Sequence, residues 1–95
     1  MRNNKIGEIM ACRVCGLYQA DAPWGRDGTA PSYNICPCCG SEFGYDDATR
    51  AAVLRKRVLW RAAGSVWFAP AEKPSNWSLS AQMEQIPSDY VDDQA

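Results

Sequence analysis

The rhythm of hydrophobic and polar positions changes twice along the 95 residues. Between residues 46 and 64 the run "DDATRAAVLRKRVLWRAAG" has no Pro and no internal Gly, and it is dense in Ala, Leu and Arg. On a helical wheel Leu54, Val58, Ala51 and Ala62 form one apolar stripe, Val53 and Trp60 lie on a second side, and Arg50, Arg57 and Arg61 fall between them. This predicts the one long helix of the chain, with Asp46 or Asp47 as its N-cap and Gly64 as the residue that closes its C-terminus.

On either side the pattern is too broken for another long element. The preceding "LYQADAPWGRDGTAPSYNI" is rich in Pro, Gly and Asp. There "GRDGT" reads as a turn between two extended pieces, and Tyr33 and Ile35 suit a short strand. The following "SVWFAPAEKPSNWS" contains Pro70 and Pro74 and reads as an extended arm that lays Trp67, Phe68 and Trp77 over the helix as core. "SLSAQMEQI" then predicts a short helix capped by Ser78 or Ser80 and stopped by Pro87. Trp24, in the loop "APWGRDG", is the tryptophan expected at the surface, where it would anchor a protein partner. Residues 1–9 form a flexible lead-in, 10–87 a single domain, and 88–95 an acidic mobile tail.

Five cysteines make this outline chemical. Four of them sit in two copies of one turn, "CRVCG" from Cys12 to Gly16 and "CPCCG" from Cys36 to Gly40. A two-residue gap lets both thiolates of a turn point at one ion while backbone N–H groups bond to the first sulfur, and the Gly supplies the positive φ that closes the turn. Two such pairs at this separation are a standard zinc pattern, and four thiolates with no open position describe a structural site. Matching the turns selects Cys12, Cys15, Cys36 and Cys39 as metal ligands and leaves Cys38 in the variable position. A short chain with a thin core needs such a staple. The expected fold class is therefore small α+β: a zinc-ribbon or rubredoxin-like N-terminal part with short antiparallel strands, then a long helix and a short C-terminal helix. Zinc is the expected metal and iron the alternative, because tetrahedral thiolates suit both. The short spacer between the turns departs from rubredoxins.

At "PSYNICPCCGSEFGYDD" and "GSVWFAPAEKPSNWSLSAQMEQI" the chain resembles a group of small bacterial proteins, without assigned roles, related to the cysteine-rich CPCC family. The likeness covers about residues 10–87. It implies the same four ligands, and it implies core positions at Trp67, Trp77 and Ile86.

Charge narrows the function further. The net charge is −1, but residues 50–73 carry +5 and residues 74–95 carry −4. Arg50, Arg57 and Arg61 are the candidate phosphate grip of a nucleic-acid binder, although a solvated face that pairs with the acidic tail fits the negative total better. With no histidine in the chain, the usual nucleophilic triads are excluded, and Asp46, Asp47 and Glu42 read as loop and cap residues rather than an acid/base set. No apolar run matches a signal-peptide core or a membrane span, so a cytoplasmic address is expected. The expected function is a non-enzymatic zinc-binding protein that acts as a protein–protein interaction module, an adaptor or immunity-type inhibitor. A nucleic-acid-binding ribbon and an iron electron carrier are the alternatives.

Overall fold

In the computed structural model, which describes residues 5–92, helix α1 (Lys5–Met10) leads directly into the first cysteine turn. That turn is closed by backbone bonds from Cys12 N to Leu17 O (2.9 Å), from Gly16 N to Cys12 O (2.9 Å) and from Gln19 N to Met10 O (2.8 Å). The same three bonds recur 24 residues later, from Cys36 N to Ser41 O, from Gly40 N to Cys36 O and from Phe43 N to Asn34 O. Single antiparallel bridges repeat at the same offset, Ala11 with Tyr18 and Ile35 with Glu42. The two turns are thus copies in backbone as well as in sequence.

These bridges are all the sheet there is among the described residues, and they overturn the expected strands and the ribbon. Each arm is cut short after one rung. Tyr33, read from its type as a strand residue, sits at φ +63°, a left-handed conformation that ends an extended run, and Pro31 and Pro37 flank the rung on either side. On the first copy α1 occupies one flank. The intervening loop folds on itself instead, with Ala30 N bonding to Trp24 O and Ser32 N to Pro23 O.

Helix α2 (Arg50–Ala62) has 13 residues, shorter than the predicted 46–64 span, and no other described helix exceeds six. Its N-cap is Thr49, whose hydroxyl accepts from Ala52 N at 3.1 Å. Neither aspartate caps it, because both turn back into the preceding loop: Asp46 Oδ2 accepts from Glu42 N, and Asp47 Oδ1 accepts from Gly44 N. The C-terminus closes as expected at Gly64, with φ +102° and paired bonds from Gly64 N to Arg61 O and from Ser65 N to Trp60 O.

The buried face of α2 is the second side of the wheel. Val53, Arg57 and Trp60 point inward, whereas Val58 of the larger stripe is 63% exposed. A line of two apolar residues with an arginine between them wins because Arg57 reaches backbone acceptors that no apolar residue could satisfy. It donates from Nε to Val14 O (2.7 Å) and from Nη2 to Arg13 O (2.9 Å) and Tyr90 O (2.7 Å). Burial lowers its pKa from the usual arginine value.

The arm after Gly64 meets the helix where Trp60 Nε1 donates to Val66 O (3.0 Å) and then lies on the second cysteine turn, with Phe68 N bonding to Cys38 O and Ala69 N to Pro37 O. Trp67 is buried edge-on to Trp77 (centroids 5.7 Å apart, planes at 85°), but Phe68, expected in the core, is exposed. A 3-10 turn (Pro70–Glu72) leads on to α3 (Leu79–Met83), which Ser78 caps by accepting from Ala81 N. Ile86 is buried and Trp77 partly so, alongside Leu17, Leu79 and Tyr90. A second 3-10 turn, Ser88–Tyr90, falls inside the predicted tail, and residues 1–4 and 93–95 of the lead-in and tail lie outside the described residues. No helix among the described residues is long and apolar enough to cross a membrane.

Replacing Arg57 by Met keeps the bulk and abandons one buried and two part-buried carbonyls, so Arg57→Met is expected to lower unfolding free energy by about 2–4 kcal/mol, against under about 0.5 for exposed Arg55→Met. Urea denaturation of the metal-loaded variants measures both, and equal stabilities would remove Arg57 from the core.

Candidate metal centre

The two turns bring Cys12, Cys15, Cys36 and Cys39 together, with all four sulfurs within 4.8 Å of one another and every residue buried. Across the turns, Cys12 Sγ lies 3.6 Å from Cys39 Sγ, and Cys15 Sγ lies 3.7 Å from Cys36 Sγ. All are free thiols, well beyond the about 2.05 Å of a disulfide bond. A metal–sulfur distance of about 2.3 Å puts tetrahedral sulfurs about 3.8 Å apart, so this donor set fits a four-coordinate thiolate-loving ion with little movement. The four cysteines that converge here are the ones that the two C-x-x-C-G turns share.

Local geometry explains how the sequence achieves this. Gly16 and Gly40 end the turns at φ +88° and +79°. A side chain on Gly16 would also run into the Gln82 carbonyl oxygen, so the first turn admits only glycine there. The sulfurs are further fixed by neighbours: Gln19 Nε2 donates to Cys36 Sγ at 3.5 Å, and Cys39 Sγ bonds to Ser41 Oγ at 3.4 Å.

Three of the thiols, Cys12, Cys15 and Cys36, are shifted in different directions by burial and by one another. Burial raises the Cys12 thiol well above its ordinary value, and hydrogen bonding to its sulfur neighbours, Cys12 first, raises Cys15. The Cys36 thiol is strongly lowered, because Cys12, Cys15 and Cys39 donate to its thiolate and the Cys39 backbone N–H adds a further bond. A cation entering the cluster displaces thiol protons.

Cys38 is fully buried but stands outside the tetrad. Its sulfur accepts from Gln82 Nε2 at 3.4 Å, and its hydrogen bond with Cys15, followed by the one from Gln82, lowers its pKa. Gln82 was not singled out in the sequence, yet it is a hub: its other bonds run from Nε2 to Cys15 O (3.1 Å) and from Trp77 Nε1 to Oε1 (2.8 Å). A polar residue on a five-residue helix carries no sequence signal of such a role.

The remaining candidates are occupied elsewhere. Trp24, expected at the surface, is half-buried, donating from Nε1 to Asp47 Oδ2 (2.9 Å), with the Arg13 guanidinium 4.0 Å from its ring centre. Arg50 donates to Asp89 O and Val91 O, and Arg61 to Met83 Sδ, so of the three arginines proposed as a phosphate grip, one is buried and one holds the C-terminal backbone. Compared with models of protein families, with curated proteins and with solved structures, the chain matches none.

Serine at position 39 removes a ligand, whereas serine at 38 removes only a neighbour. Cys39→Ser is expected to weaken metal binding by more than about 100-fold, and Cys38→Ser to retain one ion per chain. Elemental analysis after dialysis against a metal buffer decides, and loss of metal from Cys38→Ser to the same degree would show that the tetrad is misassigned.

Proposed function

We propose that the chain is a non-enzymatic protein built around a structural zinc ion on Cys12, Cys15, Cys36 and Cys39, and that it serves as a protein–protein interaction module. The observation that carries this reading is the closure of the thiol cluster: four buried sulfurs meet with no side left open for a substrate or a water molecule. Zinc would supply charge neutralisation and a rigid tetrahedral node. The chain's own residues do the rest: Gln19 holds the Cys36 sulfur by an N–H, and Ser41 Oγ lies within hydrogen-bond distance of the Cys39 sulfur.

The donor set accepts iron equally. Burial of every ligand residue speaks against an electron carrier, which needs a thiolate edge close to its partner. Protein is the supported partner class over nucleic acid, since Arg57 serves the interior and Arg50 holds backbone carbonyls, leaving α2 with few cations for phosphates.

Protein purified without added metal is expected to contain one zinc per chain and to be colourless. Visible thiolate-to-iron bands would make it an iron carrier, and the absence of either metal would overturn the reading. Chelation is expected to unfold the domain, since structural zinc contributes on the order of 10 kcal/mol of apparent binding free energy, comparable to the whole stability of a domain. Because binding releases thiol protons, zinc affinity should fall as pH drops below neutral, measurable by competition with a chromogenic chelator at pH 7.5 and 5.5.

A further inference from the structure

Between the two cysteine turns lies an open groove of about 480 Å³ that the metal centre does not use. Tyr18 lines it from the arm leaving the first turn and Ile35 from the arm entering the second. In each antiparallel bridge the hydrogen bonds run through the neighbouring residues, so the bridged residue's own N–H and C=O point away from its partner arm. Neither Tyr18 nor Ile35 has a backbone hydrogen bond among the described residues, and their side chains are 52% and 47% exposed. Two short sheet edges therefore border one groove with unused donors and acceptors.

The lining also has a sign. Its charged side chains are Asp21 and Glu72, both acidic and exposed, with no lysine or arginine among the lining residues. Trp67 also lines it, and its buried Nε1–H is a side-chain donor without a hydrogen-bond partner. Unpaired main-chain edges call for an extended backbone, and two carboxylates call for a cation on it.

We propose that this groove binds an extended peptide segment of a partner protein bearing lysine or arginine, with main-chain pairing to Tyr18 and Ile35 and the cation beside Asp21 and Glu72. This is strand addition, in which the backbone supplies affinity and the charged side chain supplies choice. The proposal rests on the interaction-module reading and names the partner's chemistry.

The test is to pan a random linear heptapeptide display library on the zinc-loaded full chain, then titrate synthetic peptides from the enriched clones into labelled protein by NMR. Enriched sequences are expected to carry Lys or Arg among β-formers and to shift the Tyr18 and Ile35 amides and the Trp67 indole resonance. Asp21→Asn with Glu72→Gln should weaken binding at least fivefold while zinc content and thermal midpoint stay unchanged, both residues being exposed. Failure to enrich, enrichment of acidic peptides, or shifts confined to the α2 surface would each overturn the groove. A zinc-loaded chain that captures a partner through another face removes the groove and keeps the module. A folded chain without zinc removes the module reading whatever the peptides do.

Discussion

Aiming four thiols at one point constrains everything else in this chain, because a tight turn that directs its cysteines inward leaves its own carbonyls facing out. In the first turn four consecutive carbonyls are presented outward in this way, and each is met by a side chain from far along the sequence. Arg57 takes Arg13 O and Val14 O, Gln82 takes Cys15 O, and Gln85 takes Gly16 O at 2.8 Å. In the second turn the equivalent carbonyls of Pro37 and Cys38 are met by backbone N–H groups of the aromatic arm. Most of the non-cysteine architecture is thus a set of donors delivered to two turns, which follows from the cost of leaving a buried acceptor unpaired.

This division of labour explains why so small a chain tolerates so little regular structure. Helix α2 positions one guanidinium, the arm presents two amides, and α3 with the following residues presents two glutamines. Apolar burial accompanies each delivery, Val53 and Trp60 beside Arg57 and Trp67 beside the arm's amides, so packing and hydrogen bonding reinforce the same docking geometry. Arg13 is held in turn, between the rings of Trp24 at 4.0 Å and Tyr90 at 4.7 Å, which ties the loop and the C-terminal turn to the same centre.

The tetrad is legible in the sequence because metal-ligand spacing is a local property: the two-residue gap and the Gly after it reflect constraints within five residues. Gly64 and Ser78 were readable for the same reason, each being a local answer to unpaired helix ends. What escaped is non-local. Arg57 was read with the surface arginines because its neighbours are basic and its acceptors lie more than 40 residues away. The strands were misread because β-favouring types at Tyr33 and Ile35 were weighed by composition, whereas the left-handed backbone at Tyr33 and the flanking prolines limit pairing to one rung. Asp47 was read as a helix cap from position alone, yet its carboxylate serves the Trp24 indole and the Gly44 amide inside the loop.

The distance between the first turn and the side chains that satisfy it bears on how the protein is made. A ribosome releases the chain from its N-terminus, so all four cysteines emerge before Gln82 and Gln85, whose partners Cys15 and Gly16 lie 67 and 69 residues upstream. The nascent turns can gather their sulfurs early, but two outward carbonyls wait until Gln82 and Gln85 have been made. Until that segment arrives the first turn lacks the two donors that meet its Cys15 and Gly16 carbonyls, so its outer side is completed later than its cysteines are brought together.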